Sequence, residues 1–115
     1  METLKQKLKW YLQQDLWSAR RMRRVLLPVL LRDGKVTREQ LKNEFVKMGE
    51  ATTERDAGYF LSLISQQMGM AKNDFLRQVV GYEYHPDMPW MKETYFLRKE
   101  YRDLVREVLA ELGDE

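Results

Sequence analysis

The sequence contains no cysteine in 115 residues, which excludes disulfides, thiol nucleophiles and thiolate zinc sites together. It has one histidine, His85, beside Pro86 in a turn-like stretch. With no second imidazole and no thiol, neither a metal site nor a histidine acid–base pair is expected. No apolar run reaches the roughly 18 residues of a membrane span, and Met1 to Leu16 is amphipathic and charged where a secretory signal would be apolar. A cytoplasmic protein that does not enter a membrane is the expectation. Internal repeats and low-complexity segments are absent. The carboxylates lack the apolar setting that would raise a catalytic pKa, and Ser18, Ser62 and Ser65 have no base beside them in sequence. Neither an enzyme nor a cofactor is expected.

What is present fits one domain with a modest core, since 43% of positions are hydrophobic and 33% charged. The formal net charge of +2 conceals an asymmetry. Residues 1–50 carry 12 Lys and Arg against 6 Asp and Glu, whereas residues 51–115 carry 8 against 12. Such a division belongs either to a chain whose one end meets a polyanion or to oppositely charged ends that meet in an oligomer.

Hydrophobic spacing then orders the chain. Leu4, Leu8, Tyr11, Leu12 and Leu16 predict a helix over 3–17. Met22, Val25, Leu26, Val29 and Leu30 share a face of the next segment, 19–32, in which Pro28 removes a hydrogen bond and predicts a kink or a division. Asp33-Gly34 is a helix stop, and Lys35-Val36 can form a short strand. Thr37-Arg38-Glu39-Gln40 is a capping box, so a helix starts at Arg38 with Leu41, Phe45 and Met48 inward. Thr53 caps a third helix that buries Ala57, Phe60, Leu61, Ile64 and Met68 and ends near Gly69. After a linker at 71–74, the aromatic and β-branched stretch Phe75 to Tyr84 predicts a strand. The tip from His85 to Pro89 carries two prolines that interrupt pairing, and a second strand resumes over Met91 to Leu97. A helical stripe follows at Tyr101, Leu104, Val105, Val108, Leu109 and Leu112.

This order of elements resembles the winged helix-turn-helix superfamily over about residues 20–101. The expected fold is mainly α with a small β-hairpin: a winged-helix core over 20–100, flanked by an amphipathic helix at 1–19 and a C-terminal helix at 101–115. The resemblance implies a DNA-binding regulator that presents its third core helix to the major groove of double-stranded DNA, with the hairpin as a wing. Carried onto this chain, the reading face is Arg55, Tyr59, Ser62, Ser65 and Gln66, which include types able to bond base edges. Glu54 and Asp56 oppose phosphate there, and a solvated polar face with carboxylates at a helix N-terminus is the competing reading.

Arg20, Arg21, Arg23 and Arg24 are the densest basic cluster. They suit backbone phosphates, or else an ion-pairing surface for Glu100, Asp103, Glu107 and Glu111. The wing is unusual for a phosphate grip, with Met88, Trp90 and Met91 around Lys92. These side chains suit a protein partner, stacking on an unpaired base, or a return to the core. Tyr82, Tyr84, Tyr95 and Tyr101 are expected to pair across strands. The N-terminal stripe with Trp10 and Trp17 and the C-terminal stripe from Tyr101 to Leu112 are candidates for a homodimer contact. The alternative to DNA binding is a winged-helix adaptor that binds another protein through the wing.

Overall fold

A computed structural model of the protein describes residues 3–113; Met1, Glu2, Asp114 and Glu115, the outermost residues of the two expected flanking segments, lie outside the described residues. Helix α1 (Leu4–Leu12) opens with a reciprocal cap at Thr3. The Gln6 N–H donates to Thr3 Oγ1 at 3.2 Å, and the Thr3 N–H donates to Gln6 Oε1 at 2.8 Å. The expected helix over 3–17 stops early: the chain turns at 13–15, Leu16 is extended, and α2 (Trp17–Arg21) begins. No local breaker causes this. The turn folds α2 back so that Tyr11 OH lies 3.1 Å from Ser18 Oγ and Leu8, Tyr11, Leu12 and Ala19 enter one core, each large apolar side chain contributing about 1.5–3 kcal/mol by burial.

As one of the two expectations for Pro28 has it, the α-helical segment that contains it begins at Leu27 rather than at Ala19. A π turn at Met22–Leu26 joins α2 to α3 (Leu27–Asp33), and the Leu27 N–H reaches back to the Met22 carbonyl. The wider turn accommodates a residue that has no N–H and crowds the preceding turn. Gly34, at φ 80°, ends α3 in a left-handed conformation that favours glycine.

Strand β1 (Lys35–Thr37) leads into α4 (Arg38–Lys47), whose capping box at Thr37 and Gln40 forms as the sequence predicts. Helix α5 (Glu54–Gly69) takes a single cap from Thr53, which accepts from the Asp56 N–H at 3.2 Å. The strand expected from Phe75 is overturned in its first half. Residues Asp74–Val79 form helix α6. Phe75, Leu76 and Val79 lie on one helical face and are buried, Phe75 edge-on to Tyr11 at 6.2 Å. Arg77 donates to the Met68 carbonyl and, at 3.1 Å, to that of Met70, tying α6 to the end of α5. Packing decides this segment against its β propensity.

Strands β2 (Val80–His85) and β3 (Met88–Leu97) complete an antiparallel sheet in the order β1-β3-β2. The sequence expectation that 85–89 leave the ladder is also corrected, because His85 pairs with Met88 around the turn. The register jumps from Tyr84↔Lys92 to His85↔Met88, so Pro89, Trp90 and Met91 oppose no residue of β2. Pairing with β1 ends at Thr37↔Thr94, leaving the other edge of this stretch open as well. Pro89 therefore interrupts no ladder bond. Gly81 lies under the Phe96 ring, which a Cβ there would meet at 2.2 Å.

Helix α7 (Arg102–Glu111) buries Val105 and Val108 in the core that α1 and α3 share. Lys5 Nζ joins Glu107 at 3.2 Å and Glu111 at 2.6 Å, and Lys9 joins Glu111 at 3.2 Å. Leu8, Tyr11, Leu12, Val105 and Val108 of these flanking helices are buried within the chain, whereas Trp10, Leu16 and Trp17 stay exposed. No helix among the described residues is long and apolar enough to cross a membrane.

Candidate functional site

The buried stripe of α5 (Ala57, Phe60, Leu61, Ile64 and Met68) fixes the opposite face outward. Arg55, Tyr59, Ser62 and Gln66 are all exposed on it. Ser62 Oγ donates to the Gly58 carbonyl at 3.1 Å, leaving its oxygen lone pairs available as acceptors. Ser65, three residues on, is half-buried, with its hydroxyl 3.3 Å from Tyr95 OH behind it.

Beside this face stands the outer part of the β2–β3 hairpin. Between them is a cleft of about 300 Å³ lined by Arg38, Ser62, Ser65, Gln66, Trp90, Met91 and Lys92. The lining has two cations, three hydrogen-bonding side chains and no carboxylate. Arg38 is set at the start of α4 by its donation to the Gly58 carbonyl at 3.3 Å. Lys92 is held over the Tyr82 ring at 4.6 Å and near that of Tyr84 at 5.6 Å, a partly desolvated cation on an aromatic support. Tyr82 and Tyr84 meet edge-on at 5.5 Å along one strand, while Tyr82 faces Tyr95 across the sheet.

Trp90 does not fold back onto the core. It is 74% exposed, whereas Met88 and Met91 are half-buried. His85 is engaged locally, accepting from the Asp87 N–H at 3.0 Å and lying 3.6 Å from Glu93. Trp10 and Trp17 are also exposed, at 57% and 62%. Trp17 leans on Phe60 at 5.6 Å, and the Arg21 guanidinium lies 3.5 Å from the centre of the Phe60 ring.

Arg20, Arg21 and Arg24 have a different partner from the acidic C-terminal helix that the sequence offered. Arg20 grips Glu50 with two hydrogen bonds of 3.0 and 3.3 Å, Arg21 donates to the Glu50 carbonyl at 3.0 Å, and Arg24 lies 3.9 Å from the same carboxylate. Glu50 is only 7% exposed. Its hydrogen bond and charge raise the Arg20 pKa from the ordinary guanidinium value, whereas burial lowers that of Arg21, with Glu50 opposing. The carboxylate is shared, so Arg20 and Arg24 keep excess positive charge toward solvent. Arg23 is half-buried and lines a hollow with Arg24, Pro28 and Glu50.

The structure thus brings Ser62, Gln66, Trp90 and Met91 to one cleft, and gathers Arg20, Arg21 and Arg24 at another place on the surface. Sequence reading missed Arg38 and Glu50 as participants, though it placed Ser65 on the same face of α5 as Ser62 and Gln66. Arg38 reads as the first residue of a capped helix and Glu50 as a loop carboxylate. Their roles arise from tertiary contacts that carry no local signal. No family model, curated protein or solved structure matches this chain.

Proposed function

We propose that this protein is a winged-helix DNA-binding regulator that contacts double-stranded DNA through α5 and the β2–β3 hairpin. The observation that carries the reading is the carboxylate-free cleft between Gln66 and Ser62 on one side and Trp90 and Lys92 on the other. The succession α3, β1, α4 and α5, with the β2–β3 hairpin after α6 and one sheet of order β1-β3-β2, supports a winged helix. Arg55 and Gln66 bond base edges, Arg38 and Lys92 take phosphates, and Arg20 and Arg24 supply further phosphate contacts with the charge that Glu50 leaves unpaired. A homodimer in this reading uses Trp10, Leu16 and Trp17, the large apolar side chains of the N-terminal segment that stay exposed.

Fluorescence anisotropy with a labelled duplex tests this. Affinity falls by orders of magnitude between about 50 and 200 mM salt if phosphates supply the binding, and Lys92→Ala lowers the salt slope by about one contact. Absence of binding at the lower salt contradicts the reading. A second reading, an adaptor that docks a protein through the wing, is favoured by the exposure of Trp90; it predicts that Trp90→Ala abolishes partner capture while DNA is never bound.

A further inference from the structure

We infer that the cleft between α5 and the hairpin accepts a single unpaired base, so that the preferred ligand is duplex DNA interrupted by a bulge or mismatch rather than perfect duplex. The inference rests on the DNA-binding reading above and names its substrate class.

Three observations meet at this place. Trp90 presents a large, rigid π-surface that is 74% exposed, in a stretch of β3 that the register jump frees from pairing with β2. An exposed ring of this kind gives the core little, but it is the group on which a base stacks independently of sequence. Lining the same cleft are Gln66, whose amide can donate to and accept from the edge of a base that no longer has a Watson–Crick partner, and Ser62, whose oxygen can accept. Arg38 and Lys92 complete the rim, and no carboxylate lines the cleft to repel the phosphates on either side of the extruded nucleotide. At about 300 Å³, the cleft is at the small end of ligand sites and suits one planar ring rather than an extended chain. Tyr84, exposed beside Lys92, offers a second ring to a neighbouring base. Perfect duplex satisfies the cations but leaves Trp90 without a partner, because its bases are already stacked. An unpaired base has lost its pairing and costs least to extrude.

The test compares labelled duplexes of one mixed sequence, one perfect and one with a single unpaired adenine, at the same moderate salt. The expected result is binding about tenfold tighter to the bulged duplex, the scale of one base–aromatic stack. Trp90→Ala removes that preference, so that the two duplexes bind alike, while Trp90→Phe retains most of it. In a chain carrying Trp10→Phe and Trp17→Phe, the remaining emission of Trp90 is quenched by the bulged duplex and much less by the perfect one. Equal affinity for the two duplexes overturns the inference and leaves the DNA-binding reading intact. A preference that survives Trp90→Ala also overturns it. No binding to either duplex removes both.

Discussion

Glu50 shows how one side chain can organise a surface without lying in a recognisable motif. It follows Gly49 in what reads as an ordinary loop, yet it is nearly buried and draws Arg20, Arg21 and Arg24 together. Removing one member of a buried ionic group leaves the others uncompensated, and partial exposure of Arg20 and Arg24 reduces the cost. Glu50→Ala is therefore expected to destabilise the fold by about 1–3 kcal/mol in denaturant unfolding. A variant as stable as the parent contradicts this account. Tyr95 offers a pH-dependent counterpart. Burial raises its pKa above the ordinary phenol value of 10.0. The folded state then favours the protonated phenol, so its contribution is present below pH 10 and is lost as pH rises toward the higher folded value. Melting temperature should fall above about pH 10, and less so in Tyr95→Phe. The arginines, Trp90 and the α5 face were visible in the sequence as residue types; the carboxylate that binds three of the arginines was not.

At the level of elements, boundaries with chemical caps were legible. Thr37 with Gln40, Thr53, and Asp33-Gly34 mark helix ends through local hydrogen bonds or left-handed geometry, and the structure places the ends there. Two elements were misread because their conformation is decided by distant partners. Phe75 to Val79 has strand composition but becomes helical to bury Phe75 against Tyr11 and to place Arg77 under the end of α5. The first helix stops at Leu12 because α2 must fold back onto it.

Two glycines give predictions at this scale. Gly58 sits inside α5, where an added Cβ would meet Arg38 at 3.5 Å and Lys42 at 3.8 Å, ordinary contact distances. Gly58→Ala should stabilise the protein by about 0.4–1 kcal/mol through helix propensity; a lower melting temperature refutes this. Gly81 has the opposite constraint, since its Cβ would overlap the Phe96 ring at 2.2 Å. Gly81→Ala should cost about 1–3 kcal/mol by overpacking, and much less when introduced into Phe96→Ala. Additive costs in that double-mutant cycle rule out the steric explanation.

Across the whole molecule, one core runs from α1 through the sheet to α7. The division of charge along the sequence has an internal outlet, because Lys5 and Lys9 near the start pair with Glu107 and Glu111 near the end. This strap uses part of the basic excess that pointed to a polyanion. Part of what remains lies on Arg20 and Arg24 beside Glu50 and on Arg38 at the cleft, which Lys92 lines from the acidic half of the sequence. Sequence periodicity gave the flanking stripes but not their partner: two amphipathic faces of one chain and the same faces in two chains look identical until the tertiary arrangement brings Leu8 and Val108 into one interior.

The central claim is that α5 and the hairpin together form a nucleic-acid surface. Its most direct test is a titration of the isotope-labelled protein with a duplex, followed residue by residue in ¹H–¹⁵N correlation spectra. The largest shifts are expected on Arg55, Tyr59, Ser62 and Gln66 of α5 and on Lys92 of the hairpin. Saturable binding whose shifts concentrate on α1 and α7, with those residues unmoved, contradicts it.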